Sequence, residues 1–217
     1  MSLTLYIGNK AYSSWSLRPW VAMTHMGIRF DEVVIPLDLP DTREKILAAS
    51  PSGRVPALRD GAILIWESLA ILDYLDEFHV RGRLWPLDRA ARATARSIAC
   101  EMHSGFSALR THCPHNCRRD PAKPFALPAA ARSDVDRIEA IWRDTRGRFG
   151  QSGQFLFGTF SAADAMYAPV VNRFHHYGIA VADDTRAYMD SVLNLPAMQA
   201  WKKAAEAEPW VIAASEL

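Results

Sequence analysis

Residues 52–75 read SGRVPALRDGAILIWESLAILDYL, with Gly53 and the dipeptide Val55-Pro56 at the front and Asp60-Gly61 between two short apolar runs. Asp-Gly in that setting signals a hairpin, because both residues tolerate the positive φ that a tight turn imposes. Pro56 falls where the first of the two strands begins, a place where a missing N–H costs no ladder bond. The trans preference before proline is only about 0.5–1 kcal/mol, so a cis Val55-Pro56 bond is accessible. Leu69, Leu72 and Leu75 then recur at helical spacing, which puts Glu67-Ser68 at the head of a helix.

This arrangement has a chemical use. A tight turn before Pro56 presents the N–H and C=O of Val55 outward, ready to pair with an extended peptide as an added strand. The free N–H groups and dipole of the following helix favour a ligand carboxylate, to which Ser68 can donate, while Glu67 can accept from an ammonium. A small peptide ending in an α-amino acid group fits these features. A plain hairpin in which Ser68 merely caps the helix fits the same residues, and they leave both readings open.

SPSGRVPAL followed by WESLAILDYL resembles the glutathione-binding half of the soluble glutathione transferases. The resemblance implies a cis proline at Pro56, backbone pairing of Val55 with the cysteinyl residue of glutathione, and Glu67-Ser68 holding its γ-glutamyl end. It also puts Arg54 and Trp15 among the glutathione-contacting residues.

Composition narrows the setting. The 217 residues are 49% apolar, enough for one large core or two small ones. The 25 basic and 24 acidic residues nearly cancel, which argues against nucleic acid or an anionic membrane as partner. No apolar run approaches the ~18–20 residues of a spanning helix, and MSLTLYIGNKAYSSW lacks the form of a signal peptide. Three cysteines, an odd number, read as reduced thiols of a cytoplasmic protein.

Around the central stretch the remaining elements follow. Leu3 to Ile7 alternates as a strand. Tyr12 to Ser16 leads into a helix with Pro19 expected in its first turn and Gly27 at its stop, and Phe30 to Ile35 is a second strand. A short helix opens at Pro40-Asp41 and runs to about Ala49. The order β-α-β-α-β-β-α predicts a thioredoxin-like α/β domain over residues 1–80, with a parallel strand pair and an antiparallel edge. Residues 81–88 read as a linker and 89–217 as an all-α domain. There Ala95, Ile98, Ala99, Met102, Phe106 and Leu109 mark one long helix, and Val135, Ile138, Ile141, Trp142 and Phe149 another. Ser161-Ala162-Ala163-Asp164 has capping-box form with Asp in place of Glu, and Pro196 begins a last helix. FSAADAMYAPVV resembles the capped helix of the transferase C-terminal domain, so the likeness runs through nearly the whole chain.

A glutathione transferase must make a thiolate. A free thiol has a pKa near ~8.5, and lowering it by two units takes roughly 2.7 kcal/mol. A hydroxyl donor and a helix N-terminus are the expected sources. Ser13-Ser14-Trp15-Ser16-Leu17-Arg18 resembles the SSCSxR signature of the zeta class, which includes maleylacetoacetate isomerases. That resemblance selects Ser13 as thiolate partner, then Ser14, then Tyr12 by analogy with tyrosine-using classes. The same hydroxyls also suit a helix cap. Trp15 stands where the zeta signature has cysteine, which counts against isomerase, glutaredoxin-like and omega-like chemistry and leaves an indole to wall the pocket.

His112-Cys113-Pro114-His115-Asn116-Cys117 carries soft ligand types, but no second cluster completes a metal site, so no metal is expected and a loop bordering the co-substrate pocket is the reading. Arg110, Arg118 and Arg119 suit either an acidic co-substrate or a solvated basic face, and the other tryptophans read mostly as core. The expectation is a cytoplasmic, homodimeric enzyme that activates glutathione for attack on a small electrophile. Glutathione-dependent cis-trans isomerisation, disulfide reduction and a non-catalytic interaction module stand as its rivals.

Overall fold

The computed structural model describes residues 3–217. Its first half holds β1 (Leu3–Ile7), α1 (Ser14–His25), β2 (Phe30–Val34), α2 (Thr42–Ala49), β3 (Ala57–Asp60), β4 (Ile63–Trp66) and α3 (Ser68–Phe78). The sheet order is β2-β1-β3-β4. β1 runs parallel to β2, and β3 pairs antiparallel with both β1 and β4, as the α/β thioredoxin-like reading requires. Asp60-Gly61 makes the hairpin turn with Gly61 at positive φ, and the Val55-Pro56 bond is cis.

The second half is all helix apart from loops: α4 (Arg89–Ser104), α5 (Ser107–His112), α6 (Ala129–Phe149), α7 (Ala162–His176), α8 (Asp183–Leu193), α9 (Pro196–Glu206) and a short 3-10 turn at Ala213–Ser215. Two helical readings need correction. The long helix marked by Ala95 to Leu109 is two helices. Its chain breaks at Gly105, where a Cβ would meet the Glu101 carbonyl oxygen at 2.7 Å, and at Phe106, whose φ is +57°. Pro19 sits in the second turn of α1 rather than the first. There its missing N–H removes an interior bond that a first-turn proline would not have made. The patterns of α5 and α8 were not anticipated.

One continuous apolar core runs through both halves, with a small satellite of Ile35, Ile46 and Ala49 under α2. α1 and α7 lie at its centre. Nine of the twelve α1 residues and fourteen of the fifteen α7 residues are buried, the pattern of helices covered on all sides rather than on one face. The head of α1, which carries Ser13 to Arg18, is therefore deep in the molecule. Among the described residues no helix is long and apolar enough to cross a membrane.

Candidate active site

A cavity of about 270 Å³ opens where the hairpin, α3 and α1 meet α4 and α5. Trp15, Ser52, Arg54, Val55, Pro56, Glu67, Ser68, His103 and Arg110 line it. Six of the nine residues singled out from the sequence are thus brought together: Arg54, Val55, Pro56, Glu67, Ser68 and Trp15. The turn before Pro56 is set by Gly53, at φ +64°, and by Ser52, whose hydroxyl accepts the Arg54 N–H.

Glu67 closes β4 and opens α3 in an unusual conformation, φ +70° and ψ +124°. That region is sparsely populated for residues with a Cβ, and such strain collects at functional sites. Neither Glu67 nor any other side chain caps α3. Ser68, at the first position of the helix, is only 1% exposed, with the Met166 sulfur 4.0 Å from its hydroxyl as its sole side-chain neighbour of hydrogen-bonding type. The head of α3 thus offers free N–H groups, a buried hydroxyl and a carboxylate to the same cavity. Glu67 Oε2 stands 3.5 Å from His103 Nε2.

The three hydroxyls assigned to the thiolate are placed differently. Ser13 and Ser14 are buried at the head of α1, behind the cavity wall. Ser13 occupies the N-cap position but makes no capping bond; its hydroxyl donates to Ser16 Oγ at 2.7 Å, which also accepts the Gly8 N–H at 3.0 Å. Ser14 Oγ accepts from Arg173 Nη2 at 3.5 Å. Tyr12 turns toward the C-terminal tail, where its hydroxyl donates to Glu216 Oε1 at 2.5 Å and meets Arg118 Nη2. Burial, reinforced by Glu216, pushes the Tyr12 phenol above its ordinary pKa.

The electrostatics of the head of α1 were not read from the sequence. Arg18 is fully buried, and its Nε and Nη1 have no hydrogen-bond partner. Its guanidinium carbon lies 3.8 Å from the Trp15 ring centroid, and that of Arg110 lies 5.6 Å from it. Burial first, then Arg173 and Arg110, hold the Arg18 pKa well below its ordinary value. The same burial, then Arg18, lowers that of His103, against Glu67. His103 and Ser52 were also missed: neither stands in a motif, and only the fold of α4 and the hairpin brings them to the cavity.

One surface reading is corrected. Of Arg110, Arg118 and Arg119, only Arg110 reaches the cavity. Arg118 donates to the Glu208 and Trp210 carbonyls, and buried Arg119 donates to the His176 carbonyl at 2.5 Å and the Leu217 carbonyl at 3.3 Å, so both hold the C-terminal segment against the fold. No residue of the loop from His112 to Cys117 lines this cavity. Cys117 lines a separate cavity with Asn172 and His176, and burial pushes its thiol up to about 12. Trp66, at 43% exposure, departs from the core reading of the tryptophans.

A family model described as the glutathione S-transferase N-terminal domain matches residues 12–77, and one described as its C-terminal domain matches residues 124–203. Maleylacetoacetate isomerase of Rattus norvegicus is 30% identical over 173 residues, 77% of this chain and 76% of that protein. Glutathione S-transferase L1 of Arabidopsis thaliana is 26% identical over 188 residues, 85% of this chain and 70% of that protein. A crystal structure of a glutathione transferase homolog from Burkholderia gl BGR1, with bound glutathione, superposes with a TM-score of 0.71 at 23% identity, covering 96% of this chain and 100% of that one.

Proposed function

This chain belongs to the glutathione S-transferase family, and from that premise we propose that the cavity binds glutathione and activates its thiol for attack on a small electrophile. The observation that carries the reading is the convergence of Val55, cis-Pro56 and the uncapped Glu67-Ser68 head of α3 on one cavity. The outward backbone of Val55 pairs with the cysteinyl residue of the peptide. Ser68 and the α3 N–H groups take the γ-glutamyl carboxylate, Glu67 takes its ammonium, and Arg54 and Trp15 complete the wall. The thiol then lies toward the head of α1, near Ser13 and Ser14. It loses its proton to water, and the sulfur lone pair forms a bond to an electrophilic carbon as the leaving group departs with its electron pair. We place the boundaries of the two domains at residues 1–80 and 89–217, with 81–88 between them.

The 30% identity to maleylacetoacetate isomerase favours a second reading, in which the thiolate adds to a conjugated double bond, rotation follows, and the thiolate leaves unchanged. Trp15 in place of the signature cysteine argues the other way. Calorimetry with glutathione, followed by a panel of an aryl halide, maleylacetone and a mixed disulfide, tests both. Micromolar to millimolar binding with turnover of the aryl halide is expected; turnover of maleylacetone alone replaces transfer by isomerisation, and absence of binding overturns the site. We further propose a cytoplasmic homodimer without nucleic-acid, membrane or metal partners. Exposed Ile63 and Trp66 on the edge strand and Phe78 at the end of α3 are apolar surface that a second subunit would cover.

A further inference from the structure

We propose that Arg18 is a positioning residue for the thiolate: its buried guanidinium, stacked behind Trp15 without a counter-ion of its own, stabilises the anionic form of the glutathione thiol at the head of α1. The inference rests on the reading of the cavity as a glutathione site and assigns its electrostatic source.

The geometry starts from helix spacing. Trp15 and Arg18 are three residues apart on α1, so their side chains are neighbours, and long helical side chains lean toward the N-terminus. The Arg18 charge is thereby carried into the first turn, where its guanidinium lies 3.8 Å from the indole centroid. Trp15 itself lines the cavity. Arg18 is only 1% exposed and lies against the indole rather than in water, and along such a low-dielectric path a charge is felt more strongly than through solvent.

Arg18 and Arg110 both stack on the Trp15 ring, and the charges that act most strongly on Arg18 are those of Arg173 and Arg110, with Tyr167 and Glu67 opposing them, while His103 feels both Arg18 and Glu67. Arg173 also reaches Ser14 Oγ at 3.5 Å. The first turn of α1 has no acidic residue. Glu67 is the single carboxylate in this set, and it already stands 3.5 Å from His103. When glutathione binds, its ammonium claims Glu67, and three guanidiniums remain around the head of α1. A buried guanidinium with two unpaired nitrogens and no counter-charge is costly, and a sulfur anion at this point supplies the missing partner. A carboxylate on a co-substrate has the same charge, so the test uses glutathione alone.

The experiment is titration of the bound-thiolate absorbance in the wild-type protein and in Arg18→Gln, Arg18→Lys and Ser13→Ala, with glutathione affinity measured by calorimetry at low pH. Arg18→Gln is expected to raise the pKa of the bound thiol by about one unit, a tenfold loss of thiolate well below the pKa, while affinity for the protonated peptide stays within about threefold. Arg18→Lys restores most of the shift. A folded Arg18→Gln protein with the wild-type thiol pKa overturns the assignment. Should Arg18→Gln not fold, Ser13→Ala decides: its bound thiol is expected to keep a pKa below that of free glutathione in the same buffer, and a return to the free value overturns it. Absence of glutathione binding in the wild-type protein overturns the site itself, a result distinct from binding with an unshifted Arg18→Gln thiol.

Discussion

Two helices at the centre of this molecule begin at serines, and they begin in opposite ways. At the head of α7 the Asp164 carboxylate is fully buried and accepts four hydrogen bonds: from the Ser161 N–H and hydroxyl at 2.8 and 2.7 Å, the Leu156 N–H at 3.1 Å and the Tyr188 hydroxyl at 3.1 Å. Both carboxylate oxygens there are answered from within the chain. At the head of α1 the Ser13 hydroxyl caps nothing, no acidic residue occupies the first turn, and the nearby charges are guanidiniums. The head of α3 is open in the same way. A buried helix N-terminus is costly unless its N–H groups and dipole are met. α7 meets that cost in the fold, whereas on the proposed reading α1 and α3 leave it to a ligand.

The largest test of this contrast is Asp164→Ala. It leaves two N–H groups and two hydroxyls without their acceptor in a dry core, so a loss of about 3–5 kcal/mol of stability is expected in urea unfolding. Asp164→Asn, which retains one acceptor oxygen, should lose less. Glutathione affinity of the folded fraction should not change, since the Asp164 carboxylate bonds only Ser161, Leu156 and Tyr188, none of which lines the cavity. A glutathione defect in well-folded Asp164→Asn would show that the two heads are coupled and that the contrast is not one of stability against binding.

Glu67→Gln and Ser68→Ala invert the pattern. Each removes a partner of a charged ligand group, worth about 1.5–3 kcal/mol, so glutathione affinity should fall roughly ten- to a hundredfold in calorimetry. The urea midpoint should barely move, because neither side chain caps α3. A stability loss approaching that of Asp164→Ala, with affinity retained, would make α3 a second closed head and remove the γ-glutamyl site from it.

What the sequence discloses divides along the same line. Asp60-Gly61, Pro56 and Ser161 to Asp164 act on residues within a few positions, so the hairpin, the strand start and the α7 cap were legible. The break at Gly105 and Phe106 was not, because Ala95 to Leu109 keeps an apolar face on both sides of it. Arg118 and Arg119 read as surface charge, yet their carbonyl partners lie as much as 98 residues away. Arg18 read as one letter of a signature. Its burial follows from the packing of α1 between the sheet and α7, which leaves no periodic trace in the six residues around it.

The smallest expected effect is the most discriminating, and it concerns which hydroxyl faces the sulfur. Ser13→Ala removes a donor to the charged form of the thiol, so the bound thiol should titrate about one unit higher, with affinity for the peptide nearly intact. In the free protein the Ser13 proton is directed to Ser16 Oγ, so the donation requires the hydroxyl to rotate away from that partner. Ser14 Oγ accepts from Arg173 and donates to no other group among the described residues, which makes Ser14→Ala the necessary comparison. Tyr12→Phe should leave the thiol unmoved, since the phenol is engaged by Glu216 and Arg118. A larger shift in Ser14→Ala than in Ser13→Ala transfers the role by one residue and makes the Ser13–Ser16 bond a fixture of the loop. No shift in either variant means that the open head of α1 holds the thiolate through its N–H groups and the guanidinium behind Trp15. In that event the contrast with α7 becomes sharper, because the serine at each head serves the chain and the ligand meets only the helix.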